Sequence, residues 1–351
     1  MSHIYIHIPF CESKCPYCAF NSYQNQQNFT VVEYFKALAK QLYFELERFN
    51  ITTPVHSIYF GGGTPSSVDY SNYKIIFDIL SPYINKDTEI TIEVNPNSAK
   101  TNWLKNMFKF GANRISIGVQ SFDDEKLKSL GRIHSSGQAS QAVFKAKEVG
   151  FDNISIDIIY DTQYDSDTFI KNEIEKALQL PITHLSAYSL TIEEGSAFAN
   201  KFELKQENIS ATKTLFELLI SNGFDHYEIS SFAKIKSRHN MAYWGAKDYI
   251  GVGAGAVGFL KNKRFYPQIN IQEYINTPLK MDEEEMSEDE LRFERVFMGL
   301  RSCVGVSMED IKDKSKPIVE ELIKNEKLRI INQRFVLPDF LLADEIAILI
   351  G

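Results

Sequence analysis

The sequence predicts an α/β fold, a complete or partial (β/α) barrel followed by a small C-terminal helical or winged-helix-like domain. Short β-rich runs alternate with helical patterns at roughly 25–50 residues per unit, the texture of a parallel sheet. Six or more such units follow one another, which favours a barrel over an open doubly wound sheet. No run leads into a dinucleotide fingerprint with its acidic partner. The chemistry-bearing polar residues also fall just after these runs, where a barrel keeps its active site.

The expected strands are His3–Ile8, Val55–Phe60, Glu89–Val94, Arg114–Val119, Ile154–Ile159 and His184–Leu190. Between the first two, Val32–Arg48 places apolar residues at helical spacing. The texture changes near residue 275, so the barrel is assigned to 1–270 and the C-terminal domain to 271–351. The acidic run Asp282–Glu290 reads as a solvated helix start, with Ser287 and Glu290 spaced as a capping box. Helical stretches at Met308–Lys314 and Ile318–Asn325, a hairpin LRII-NQ-RFVL and a last helix near Ala343–Leu349 complete the domain.

Composition narrows the function classes. A net charge of −8 gives no reason to expect a nucleic-acid surface. No apolar run approaches the ~18 residues of a membrane span. The opening MSHIYIHIPF reads as a strand rather than a secretory signal, so a cytoplasmic protein is expected. The 25 Phe and 17 Tyr hint at a flat or aromatic ligand, although aromatics more often simply fill a core.

Three of the four cysteines form Cys11-x-x-x-Cys15-x-x-Cys18, directly after the first strand. In a reducing compartment such a trio argues for metal rather than disulfides. Three thiolates can hold three irons of a [4Fe-4S] cubane and leave the fourth iron open to a small molecule. Structural zinc needs a fourth ligand, and only the distant Cys303 or a histidine could be recruited. Gly61-Gly62-Gly63 after the second strand would let backbone approach a ligand closely, and it lacks the Lys and Ser/Thr of a phosphate loop. Glu93 and Asn95 follow the third strand, Gln120 the fourth, and Asp157 lies late in the fifth. Gly253-x-Gly255-x-x-Gly258 reads as a tight packing turn, and Cys303 as a small buried hydrophobe.

The segment Tyr5-Ile-His-Ile-Pro-Phe-Cys11-Glu-Ser-Lys-Cys15-Pro-Tyr17-Cys18-Ala-Phe20 resembles the opening of radical-SAM proteins of the oxygen-independent coproporphyrinogen III oxidase group. Gly61–Pro65, Ile92–Pro96, Gly118–Phe122, Arg132, Ile156–Tyr160 and Ser186–Gly195 match further segments. The resemblance implies a partial (β/α)6 TIM-type radical-SAM barrel in which S-adenosylmethionine (SAM) chelates the open iron. A reduced cluster would then cleave SAM to methionine and a 5′-deoxyadenosyl radical. It further implies metal ligation by Cys11, Cys15 and Cys18, and cofactor contacts from Tyr5, Tyr17, Gly61, Gly62, Thr64, Glu93, Gln120, Arg132, Asp157 and Ser189. The chain departs from the pattern after the fifth strand. Asp161-Thr162-Gln163-Tyr164 replaces a Gly-Leu-Pro-Gly-like turn, so that loop is expected to be remodelled.

Two features separate branches of the group. The dehydrogenases carry a fourth cysteine where this chain has Phe20, and they begin with a longer N-terminal segment. His239-Asn240-Met241-Ala242-Tyr243-Trp244 instead resembles the HNxxYW signature of the heme chaperone branch. That branch implies a protein that binds heme, with His239 as the candidate iron ligand, and passes it to an acceptor protein. It implies no coproporphyrinogen III dehydrogenase activity and leaves peripheral membrane association open. Imidazole can ligate heme iron, and Tyr or Trp can pack on a porphyrin face. A lone histidine is more often a hydrogen-bonded loop residue. Arg238 is a candidate partner for a propionate. The competing enzyme reading is oxidative decarboxylation of coproporphyrinogen III to protoporphyrinogen IX.

Overall fold

The computed structural model describes residues 2–24 and 28–351, with side chains given from Thr30 onward in the second stretch. Met1 of the opening run lies outside it. Six strands form the heart of the molecule: β1 (His3–Ile8), β2 (Ser57–Gly62), β3 (Glu89–Val94), β4 (Arg114–Gln120), β5 (Asn153–Tyr160) and β6 (His184–Ser189). Each alternates a branched apolar residue with a polar or small one. Ile4, Ile6, Ile58, Ile90, Ile92, Ile115 and Ile154 are completely buried beneath helices on the outer face. The alternate positions, including Tyr5, Tyr59, Glu93, Ser116 and Asp157, face the opposite way. The pleat thus gives one greasy face to the helices and one polar face to the interior.

Four further strands, β7 (Asp225–Glu228), β8 (Ser231–Ala233), β9 (Tyr249–Val252) and β10 (Gly258–Leu260), are followed by β11 (Lys263–Pro267) and β12 (Met281–Glu285). All twelve join one sheet in the order β12-β11-β10-β9-β1-β2-β3-β4-β5-β6-β8-β7. From β9 through β6 every pairing is parallel, and the two flanks are antiparallel. The order has two ends, so the parallel strands form a partial barrel.

Outside it pack α1 (Asn28–Arg48), α2 (Lys74–Leu80), α3 (Thr101–Phe110), α4 (Asp124–Ser129), α5 (Ser136–Val149), α6 (Asp167–Leu178) and α7 (Ile209–Ser221). On α1, Tyr34, Leu38, Leu42 and Leu46 fall on one buried stripe. Helix α5 starts at a capping box of Ser135 and Gln138 and ends at left-handed Gly150. The short α8 (Arg238–Trp244) carries the HNMAYW run.

The C-terminal part differs from the expected division at 270. Ile271 and Tyr274 of α9 (Ile271–Asn276) belong to the barrel core, and β12 pairs along β11. The front of the acidic run is therefore an edge strand: Lys263 reaches diagonally to Glu283 at 3.5 Å, and Tyr266 donates to Glu284 at 2.5 Å. The helix start is confined to α10 (Glu288–Leu300), capped by Ser287 and Glu290 as the spacing indicates. A second core joins Val296 and Leu300 of α10 to Phe335 and Ile346. It is enclosed by α11 (Lys316–Lys324), α12 (Ala343–Ile350) and the small sheet β13-β15-β14. These strands are β13 (Val306–Ser307), β14 (Arg329–Ile331) and β15 (Arg334–Val336). Asn332 and Gln333 turn the last hairpin with φ of 50° and 61°. Residues 308–310 and 313–315 form only 3₁₀ turns. Among the described residues no helix is long and apolar enough to cross a membrane.

Candidate active site and the α8 cavity

The C-terminal ends of β1–β6 surround a cavity of about 620 Å³. One wall is the cysteine loop. Phe10–Cys11 pairs with Tyr23–Gln24, and Cys18 N–H donates to the Cys15 carbonyl at 3.0 Å, closing a tight loop. The glycine turn after β2 is stitched beneath it. Gly63 N–H donates to the Ile8 carbonyl and Thr64 N–H to the Phe10 carbonyl, at 2.9 and 2.7 Å. A Cβ on Gly63 would lie 2.8 Å from the Phe10 carbonyl oxygen. Gly62 has φ +115°, and a Cβ there would lie 2.4 Å from the His7 ring. His7 must donate from Nε2 to the Asn21 carbonyl (2.8 Å), so its Nδ1 accepts the Tyr5 hydroxyl proton (3.0 Å). The glycines thus let the loop, the turn and the first strand close on one another.

Cys11, Cys15 and Cys18 all line the cavity, half-buried. Burial pushes the Cys11 and Cys18 thiols up, so without metal they hold their protons. Thr64 Oγ1 donates to Cys11 Sγ at 3.6 Å, and Arg132 Nη1 donates to Cys15 Sγ at 3.1 Å. Among the described residues no three His, Cys, Asp or Glu side chains converge tightly enough for a single ion. A cubane is instead held at three separate irons, and three thiols on one cavity wall fit that donor set. The volume beside them suits a ligand of nucleoside size.

Of the other candidates, Tyr17, Gly62, Thr64, Glu93, Gln120, Arg132, Asp157 and Ser189 line this cavity together with Tyr188. Gln120 does so from a left-handed residue, φ 67°, at the end of β4. Tyr5 lies deeper, its ring stacked 6.2 Å from Tyr59. Gly61 backs the wall, where a Cβ would meet the Tyr59 ring at 2.8 Å and Glu93 at 3.0 Å. Glu93 accepts from the Tyr59 hydroxyl (2.8 Å) and the Gly62 amide (3.1 Å). Burial nonetheless pushes its carboxyl up to about 7, with Asp157 adding to the effect. Burial likewise raises Asp157 to about 6, against the pull of Arg114. These carboxyls can hold or release a proton near neutrality. Ser189 is engaged sideways, donating to Asp161 at 2.7 Å.

The loop after β5 is organised by ions. Asp161 sits at φ 62°, while Asp165 accepts from the Thr162 amide and hydroxyl, both at 2.8 Å. Beneath them Lys126 of α4 bonds Asp165 at 2.6 Å and Glu173 at 3.1 Å, with all three side chains buried. Asn95 was legible in the sequence only as a strand-end polar residue. In space its Nδ2 donates to Thr64 Oγ1 (3.0 Å) and its Oδ1 accepts from Arg132 Nη2 (2.8 Å). The one local signal for its fixed backbone is the proline that follows.

His239 lies at the opposite end of the barrel. It is 2% exposed, and its Nδ1 is 2.8 Å from Ser57 Oγ, which also meets His3 Nδ1 at 2.8 Å. Ser57 has one proton, so it donates to one imidazole and accepts from the other. His239 Nε2 is buried with no partner. A proton there would be an unsatisfied donor, which places it on Nδ1 and leaves a lone pair on Nε2. Burial drives this imidazole's pKa down to about 3. Tyr59 and Tyr243 pack on the ring at 5.1 and 4.9 Å. The Arg238 guanidinium, the candidate propionate partner, bonds the Asp87 carbonyl. Asn240, Tyr243 and Trp244 of the motif line a second cavity of about 350 Å³ with Glu228, Met298 and Tyr188. Tyr188 is shared with the cysteine cavity. Cys303 is half-buried on the second core, 3.9 Å from Lys236 Nζ.

Comparison with known proteins gives a consistent result. Residues 5–171 match the Radical SAM superfamily. The chain is 31% identical over 350 residues to the heme chaperone HemW of Lactococcus lactis subsp. lactis, covering 95% of this chain and 90% of that protein. It is 32% identical over 331 residues to the heme chaperone HemW of Bacillus subtilis, covering 90% and 87%. Among solved structures it resembles the radical-SAM coproporphyrinogen III oxidase HemN of Escherichia coli. There the TM-score is 0.82 at 19% identity, over 99% of this chain and 89% of that one, a likeness of fold.

Proposed function

Since this chain belongs to the HemW family of radical-SAM proteins, we propose that it is a heme chaperone, which binds heme at α8 and passes it to an acceptor protein. The observation that carries the reading is the split of the HNMAYW helix. Tyr243 and Trp244 offer aromatic faces to the second cavity, and His239 keeps an unpartnered Nε2 behind them. Heme would dock on the aromatic side, and a shift of the seven-residue α8 would bring Nε2 to the iron. Ser57 holds the ring in the tautomer that a metal needs, by accepting from Nδ1.

The cysteine cavity serves a separate task in this proposal. Cys11, Cys15 and Cys18 hold the [4Fe-4S] cluster, and Gly62, Thr64, Glu93, Gln120, Arg132, Asp157 and Ser189 surround SAM, with Tyr17 at the loop and Tyr5 and Gly61 backing the wall. When bound, cluster and SAM supply one-electron chemistry. The chain's own residues orient the ligand, exclude water and keep Glu93 and Asp157 poised to take or give a proton. Free thiols and the absence of a membrane-spanning helix among the described residues are consistent with work in the cytoplasm.

Titration of purified protein with heme, alongside an assay for coproporphyrinogen turnover with SAM and reductant, tests the proposal. One equivalent of heme should shift the Soret band, His239→Ala should weaken binding at least tenfold, and no protoporphyrinogen should form. An unchanged Soret band, or robust turnover, would transfer the assignment to the oxidase reaction.

A further inference from the structure

Cys11 and Cys15, on the same wall of the cavity, share one source of order for their hydrogen-bond donors. Asn95 sits between them on rigid backbone: its N–H donates to Ser66 Oγ at 3.0 Å, its carbonyl accepts from Ser98 N–H at 3.0 Å, and Pro96 follows. Its amide orientation is fixed by chemistry, since a guanidinium only donates and so Oδ1 must face Arg132. Nδ2 then faces Thr64 Oγ1, which is left with its own proton for Cys11. Arg132, held through Nη2 by Asn95 and by the Gly118 carbonyl at 2.8 Å, is free to aim Nη1 at Cys15. One amide therefore orders one donor to each of two of the three cysteine sulfurs. Cys18 is served by its own loop, through the Phe20 backbone.

We propose that Asn95 is a positioning residue which, through Thr64 and Arg132, directs a hydrogen bond to each of Cys11 and Cys15 and so raises the reduction potential of the cluster they hold. The inference rests on the cluster and not on the heme reading. Taking one electron makes the cluster more negative. Donors to its thiolates favour that reduced form, as hydrogen bonds to cluster sulfurs are known to do. Losing Asn95 frees the Thr64 hydroxyl to turn to other acceptors and lets Arg132 settle on Gly118 alone.

The test is a redox titration of anaerobically reconstituted full-length protein without SAM. Mediators poised by dithionite supply the electron, and the reduced cluster is read by electron paramagnetic resonance. Asn95→Ala should make reduction at least tenfold less favourable, ~59 mV more negative for a one-electron couple. Thr64→Val, which removes only the Cys11 arm, should shift the midpoint the same way by less. Asn95→Asp, with a carboxylate in place of the donor, should shift it further than Asn95→Ala. Midpoints equal to wild type in both Asn95→Ala and Thr64→Val overturn the proposal. If Asn95→Ala assembles no cluster, Thr64→Val decides: a lowered midpoint supports the role, and an unchanged one refutes it.

Discussion

The two ends of the barrel interior are built from similar polar residues and behave in opposite ways. At the C-terminal end, thiols, Glu93, Asp157 and Arg132 stand around a cavity of about 620 Å³. At the N-terminal end, His3, Ser57 and His239 bond one another, and His184 spans Ser155 and Tyr227 at 2.8 Å each. The upper groups are partnered through a network that leaves room for ligands, whereas the lower groups bond mainly to one another and close the floor, His239 Nε2 alone among these being left over. Inward polarity is thus not itself a site. What matters is whether the groups are spent on each other.

The comparison can be broken most forcefully from above. Lys126→Met would strand Asp165 and Glu173 as buried charges beneath the fifth loop. It should cost ~3–5 kcal/mol, seen as a lowered urea midpoint. A second test uses pH on metal-free protein. Glu93 is raised from 4.5 to about 7 by burial, with Asp157 adding and Arg114 opposing, so its stabilising contribution is complete below pH 4.5 and lost as pH rises to about 7. His3 is lowered from 6.5 to about 4 by burial, with His56 and Lys247 adding, so its contribution is present above pH 6.5 and lost as pH falls to about 4. The Glu93 shift is worth about 3 kcal/mol at ~1.4 kcal/mol per unit. Glu93→Gln should therefore steepen the loss of stability on acidification from pH 7, and His3→Gln should flatten it. Variants that both moved the profile in one direction would mean the two ends are not electrostatically opposed. The smallest effect belongs to the floor. Ser155→Ala leaves the His184 Nδ1 position without its partner and should cost ~1–3 kcal/mol in chemical denaturation, with cluster content unchanged.

Much of this contrast was legible along the chain, and the remainder depends on distant partners. The strands His3–Ile8 and Glu89–Val94 are found with the expected limits because their alternation is strict. The second strand is displaced by two residues at both ends, from the expected Val55–Phe60 to Ser57–Gly62, since glycines that signal a turn locally are here required by the closeness of Tyr59 and His7. The acidic run misled because a local charge pattern cannot reveal that Lys263 lies across the strand. The cysteine loop declares itself by spacing, whereas the work of Asn95 exists only once β2, β3 and β4 are side by side. His239 was recognisable as part of a motif. Its place on the closed floor follows from its hydrogen bond to Ser57 at the start of β2, while Tyr243, one turn along the same helix face and packed on its ring, and Trp244 reach a cavity.

The separation of tasks between the two ends can be measured in a single anaerobic preparation of wild type, Cys15→Ala and His239→Ala, following cluster absorption and the Soret band while heme is added. The account predicts that Cys15→Ala loses the cluster yet still takes up one heme, and that His239→Ala keeps the cluster yet binds heme at least tenfold more weakly. Heme uptake that vanishes with Cys15 and is indifferent to His239 would contradict it.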